Sequence, residues 1–95
     1  MLIRIVRMEF DPLRVNDFKL LFEEVKSKIA DFPGCHHVEL RMDASQPNIF
    51  YTLSRWENEE ALESYRTSPL FTETWALTKV LFKGKPLAYS LVEPD

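Results

Sequence analysis

Phe50 to Phe71 reads "FYTLSRWENEEALESYRTSPLF", and the reading of this stretch decides the fold. Its first half belongs to a strand, Ile49 to Glu57, rich in aromatic and β-branched residues. Asn58 then offers a side-chain oxygen to cap a short helix, and Glu59 and Glu60 sit in the first turn, where the helix dipole favours carboxylates. Ser68-Pro69 repeats the start signal, an N-cap followed by a first-position proline, so a second helical segment begins there. Leu70, Phe71, Trp75, Leu77, Thr78, Leu81 and Phe82 line that segment, and Gly84 with Pro86 closes it. The unit is a strand followed by a helix broken in two.

The flanking sequence supplies the remaining elements. Leu2 to Phe10 alternates, with Leu2, Arg4, Val6, Met8 and Phe10 on one face and Ile3, Ile5, Arg7 and Glu9 on the other. Asp11-Pro12 ends that strand. Val15, Phe18, Phe22, Val25 and Ile29 form the apolar stripe of a helix over residues 13–31, stopped by Pro33-Gly34. Cys35 to Asp43 is a second strand, with His36, Val38, Leu40 and Met42 sharing a face. Residues 44–48 are turn chemistry, and Leu87 to Val92 is a final strand. The order β-α-β-β-α-β predicts a ferredoxin-like α+β sandwich, a four-stranded antiparallel sheet with helices on one face. Ile3, Ile5, Tyr51, Leu53, Ala88 and Val92 make the opposite face too apolar for water, so a homodimer closing two sheets into a dimeric α+β barrel is expected.

Composition narrows the function classes. The 95 residues are enough for one domain, 1–95, and a chain of this size gains stability by oligomerising. Hydrophobic residues make up 45% and aromatics 13%, which leaves apolar surface for an interface or a ligand pocket. A net charge of −3 with scattered Lys and Arg argues against nucleic acid, which demands a basic footprint. No apolar run approaches the ~20 residues of a membrane span. "MLIRIVRMEF" reads as a strand rather than a secretion signal, and the single cysteine fits a reducing, cytoplasmic setting.

Residues 50–71 also carry a resemblance. A strand ending in Trp56, a polar cap, the Glu-Glu-Ala-Leu turn, an aromatic and Ser-Pro-x-Phe resemble the antibiotic biosynthesis monooxygenase-like domain, as does "PGC" at Pro33–Cys35. The resemblance covers nearly the whole chain and implies a dimeric α+β barrel with a pocket between helices and sheet in each subunit. Relatives include cofactor-independent oxygenases of quinol-like polyphenols, haem-degrading oxygenases and an enzyme processing a quorum-sensing signal. The haem-degrading branch has an asparagine where this chain has Val6 and a histidine where it has Trp75, so haem breakdown is disfavoured. The quorum-signal enzyme has a histidine in place of Tyr65. Trp56 is kept and, by resemblance, belongs to the pocket neighbourhood, with Thr52 as a polar residue four before it.

The residues themselves allow sharper and plainer readings. "GCHHVEL" at residues 34–40 holds the only cysteine and both histidines, but strand alternation sends neighbours to opposite faces, so no metal site is expected. Cys35 and His37 lie i, i+2, ~6–7 Å apart along a strand, too far for a nucleophile and its base. Cys35 reads as a small buried hydrophobe and His37 as part of a polar network with Glu39 and Arg41 on the dimer side. His36 is either a core histidine bonded to a carbonyl or a pocket acid or base. Trp56, Tyr65, Phe71 and Trp75 are either core or the walls of a site for a flat aromatic compound. Arg4 either leaves the sheet at its edge or meets an anionic group in the pocket. Glu57, Glu59, Glu60 and Glu63 form a solvated helix start.

Together these readings set an expectation. Each subunit binds a small aromatic or quinol-like molecule and oxidises it with dioxygen, needing no cofactor. The catalytic candidates are His36, Trp56 and Tyr65, and the binding candidates are Arg4, Thr52, Phe71 and Trp75. A dimer that binds a small molecule without catalysis is the other reading.

Overall fold

In the computed structural model, which describes Met1–Asp95, four strands and three helices follow the expected order. Strand β1 (Leu2–Glu9) leads through a 3-10 turn (Pro12–Arg14) into α1 (Val15–Ala30). Then come β2 (Cys35–Met42), β3 (Ile49–Trp56), α2 (Glu59–Arg66), α3 (Pro69–Lys79) and β4 (Leu87–Leu91). The sheet order is β2-β3-β1-β4, with every neighbouring pair antiparallel. Each helical crossover therefore skips one strand, which is the ferredoxin-like arrangement. No helix is long and apolar enough to cross a membrane.

Local chemistry sets the element ends. The Asp11 carboxylate accepts from the Leu13 amide at 2.9 Å, and the Arg14–Asp17 pair (2.9 Å) supports the first turn of α1. Asn58 caps α2 by accepting from the Ala61 amide at 2.9 Å, and Ser68 caps α3 by accepting from Phe71 at 3.2 Å. The break between α2 and α3 is thus written by Ser68-Pro69, whose proline lacks the amide that a continuous helix would need. Asp43 shapes the β2–β3 connection by accepting from the Ser45 and Gln46 amides, both at 3.0 Å. Those bonds hold its carboxyl below the usual carboxylate range.

The helices bury one sheet face in two clusters. The larger joins Phe18, Phe22, Val25 and Ile29 of α1 to Met8, Phe10, Val38, Phe50 and Leu81. Its centre is the Phe10–Phe18 stack, with ring centroids 4.1 Å apart and Phe10 fully buried. Burying a side chain of that kind contributes roughly 1.5–3 kcal/mol. The smaller cluster is Leu2, Trp56 and Leu62. Gly34, at φ +86°, lets the chain turn from α1 into β2 and brings it against α2; a Cβ there would lie 2.5 Å from that of Ala61.

The strand register corrects two expectations and the end of α3 a third. Cys35 pairs with Trp56, but the next pair is His37 with Arg55, so His36 is the extra residue of a β-bulge. The bulge reverses alternation at the start of β2. Cys35 joins the helix side, against both clusters, while His36 is exposed instead of lying beneath the helices with Val38. In β4, Leu87, Tyr89 and Leu91 pair with Arg7, Ile5 and Ile3 on the open face, and Ala88 lies opposite Val6 on the helix side rather than on the open face. Finally, α3 ends at Lys79. Leu77 is 58% exposed, whereas Leu81 and Phe82 pack inward from the turn that follows the helix.

The open face carries a polar network at one edge. The Glu39 carboxylate accepts from Arg41 at 2.6 Å and meets His37 Nε2 at 3.1 Å, as the alternation from His37 onward predicts.

Candidate functional site

A cavity of about 290 Å³ lies between the sheet and the broken helix. Alternate residues of β1 and β3 form its floor. From β1 these are Arg4, Val6 and Met8, and from β3 they are Thr52, Ser54 and Trp56. Its roof is a stripe of α3, Phe71, Thr74, Trp75 and Thr78, whose i, i+3, i+4, i+7 spacing puts all four on one side. Buried α1 residues such as Phe18 and Phe22 close the inner end, and exposed Arg66 and Ala88 stand at the lip. Edge strand β4 is exposed along its whole length, so the cavity opens between it and the end of α2.

Six of the seven candidate residues line this cavity: Arg4, Thr52, Trp56, Tyr65, Phe71 and Trp75. His36 does not, because the bulge sends it to solvent. No histidine, aspartate or glutamate lines the cavity, and no group of three or more His, Cys, Asp or Glu side chains comes together anywhere in the chain.

Each aromatic has a definite role in the walls. Trp56 is fully buried and its indole N–H donates to Ser54 Oγ at 2.9 Å. It forms floor and has no donor left for a ligand. Tyr65 stacks on Trp56 with centroids 4.9 Å apart and meets Phe71 edge-on at 5.2 Å. Burial, aided by the nearby Cys35 thiol, pushes the Tyr65 phenol up to about 12. It is therefore a neutral hydrogen-bond donor at physiological pH and no base. Phe71 and Trp75 stack one turn apart on α3, 10° between planes and 5.8 Å between centroids, and both line the roof. Burial pushes the Cys35 thiol up as well, despite its contact with the His37 carbonyl at 3.7 Å.

Arg4 lines the cavity and meets a neutral partner there. It points from β1 to the helix side, and its Nη1 donates to Ser90 Oγ at 2.9 Å across the β1–β4 pair. Burial, then the charge of Arg66, lower its proton affinity, and Glu63 partly offsets them. No carboxylate is bonded to Arg4.

Arg66 and Thr74 are lining residues without a counterpart in the sequence reading, whereas Thr78 belongs to the expected helix stripe and Ala88 comes from the face opposite to the one expected. Arg66 stands four residues after buried Leu62, a helical spacing that puts it over the core side of α2. Thr74 lies in register with Phe71, Trp75 and Thr78, but its polarity left it out of that stripe. Thr78 is 4% exposed, its hydroxyl donating to the Thr74 carbonyl at 2.7 Å.

Comparison with known proteins finds the same frame. The family model described as antibiotic biosynthesis monooxygenase matches residues 1–76. The chain superposes on a crystal structure of an antibiotic biosynthesis monooxygenase with TM-score 0.92 and 20% identity, covering all of both chains. A conserved protein from Methanosarcina mazei Go1 is similar at TM-score 0.92 and 20% identity, over 99% of this chain and 94% of that one. Rv0793 from Mycobacterium tuberculosis follows at 0.90 and 19%, over 99% and 95%. At these identities the likeness speaks for the fold. No curated protein matches the chain.

Proposed function

The chain belongs to the antibiotic biosynthesis monooxygenase family, and we propose that it is a cofactor-independent monooxygenase of a small aromatic, quinol-like compound. The observation that carries this is the cavity itself: aromatic walls, a closed inner end, and polar groups confined to Arg4, Thr52, Tyr65 and a few neighbours. A planar ring bound against Phe71 and Trp75 displaces water from that side of the cavity.

The lining supplies no proton acceptor suited to neutral pH, so the substrate has to ionise by its own acidity. Arg4 and Arg66 lower the cost of the resulting anion, and the Tyr65 hydroxyl can donate to its oxygen. The bound anion passes one electron to dioxygen, and the radical pair recombines into a carbon–oxygen bond. Loss of water then leaves a carbonyl: a CH₂ and O₂ become C=O and H₂O. The protein's part is to orient the ring, favour the anion and keep solvent out. Haem breakdown finds no support, since no imidazole lines the cavity.

The working unit in this reading is a homodimer. Its support is the open sheet face, where Leu87, Tyr89 and Leu91 are 47%, 51% and 47% exposed beside Ile3, Ile5 and Leu53. A second copy burying that patch closes two sheets into a barrel.

The test is dioxygen uptake with a panel of quinols and anthrones. Trp75→Ala and Tyr65→Phe serve as comparisons, because loss of fully buried Trp56 would threaten the fold itself. Uptake above the protein-free rate that falls in both variants supports oxygenation. No uptake with any member leaves the second reading, a dimer that binds such a compound without transforming it.

A further inference from the structure

The chain is acidic overall, with 15 Asp and Glu against 12 Lys and Arg, yet its cavity is lined by two arginines and no carboxylate. The lining therefore carries net positive charge in a net acidic chain. Arg4 is held on the helix side of β1, anchored by one nitrogen to a neutral partner, Ser90 Oγ, at 2.9 Å. Its other donors have no acceptor in the protein. Arg66 stands at the lip, exposed, and its one ionic contact is a loose 3.6 Å approach to exposed Glu63, a pairing with little hold on it. Burial is the larger cost to the Arg4 charge, the like charge of Arg66 adds to it, and Glu63 offsets part of it. An anion between the two arginines offsets the repulsion and gives the unpaired Arg4 donors an acceptor.

We propose that the cavity selects aromatic compounds carrying a permanent planar oxyanion, a ring carboxylate, whose head is held by Arg4 and Arg66 while the ring lies against Phe71 and Trp75. A guanidinium fork matches a carboxylate in two parallel hydrogen bonds, which a neutral amide or a hydroxyl does not reproduce. Arg66 stands at the lip and Arg4 in the floor beside edge strand β4, so the carboxylate faces the open side while the ring lies deeper, against the aromatic walls. This assignment names the substrate class for the monooxygenase reading but concerns binding, and it holds for a non-catalytic binder as well.

The experiment is calorimetric titration of the intact protein with 2-naphthoate and its neutral isostere 2-naphthamide, at low and high salt. Naphthoate is expected to bind about tenfold tighter or more, with the preference shrinking at high salt. Arg66→Gln, at an exposed position, and Arg4→Gln should each erode the preference, and the double variant should lose it. Arg4→Lys keeps the charge without the fork and should fall between. Circular dichroism of each variant confirms that it is folded. Equal affinities, no naphthoate binding, or a preference that survives in the folded double variant overturns the assignment. Dioxygen uptake with 1,4-dihydroxy-2-naphthoate and 1,4-dihydroxynaphthalene separates the two readings. Selective binding without uptake removes the monooxygenase and leaves the arginine pair. Uptake of both quinols with equal affinity does the opposite.

Discussion

The Trp56 indole N–H donates to Ser54 Oγ at 2.9 Å, two residues back along β3 and on the same face. The bond lets the largest fully buried side chain of the protein serve as cavity floor while leaving no buried polar atom without a partner.

Ser54→Ala deletes the only acceptor of that N–H inside a fully buried site. The unfolding free energy should fall by about 1–3 kcal/mol with an unchanged denaturant slope. Guanidinium titration followed by tryptophan fluorescence measures it. An unchanged midpoint would show that the bond carries no weight.

Gly34→Ala meets two obstacles, a positive φ and a Cβ 2.5 Å from that of Ala61. The cost should exceed about 1 kcal/mol. Adding Ala61→Gly removes the clash but not the backbone strain, so the double variant should recover only part of the loss, read from thermal unfolding. Full recovery would mean the φ angle is costless.

Tyr65 sets an alkaline limit. Its phenol holds its proton to about 12 in the fold, above the ordinary 10.0, through burial first and Cys35 second. The folded state therefore binds the more protons between those values. The contribution is complete below pH 10 and is lost as pH climbs toward 12, by about 1.4 kcal/mol per pH unit. Denaturant midpoints across that range should fall more steeply in the parent protein than in Tyr65→Phe. Parallel curves would refute this.

The open face should respond to charge. Leu53 lies at its centre on β3, between Ile5 and Glu39 of the flanking strands. Light scattering at micromolar concentration should give a dimer for the parent chain and a monomer for Leu53→Glu. A monomeric parent protein would end the barrel reading.

The β-α-β-β-α-β order could be read from the chain because each signal is local. The Ser68-Pro69 break, the Asn58 cap and the Phe18-Phe22-Val25-Ile29 stripe depend only on neighbours in sequence. Alternation also placed Arg4 on the helix side, and the family resemblance pointed to Trp56 and Thr52; all three line the cavity. Strand periodicity failed at two points, His36 and Ala88, and for one reason: a strand's face is set by its pairing partner. The bulge opposite Trp56 and the Ala88–Val6 register are facts about two strands at once.

The sequence by itself determined the element order, the core stripes and most of the aromatic wall, since these follow from residue type and local spacing. Tertiary structure alone decided that His36 stays out of the cavity. It also decided that Trp56 satisfies its own N–H, and that Arg4 and Arg66, 62 positions apart in the chain, line one cavity without a carboxylate among them. Proximity between distant residues depends on register and helix packing, and no local pattern carries that information.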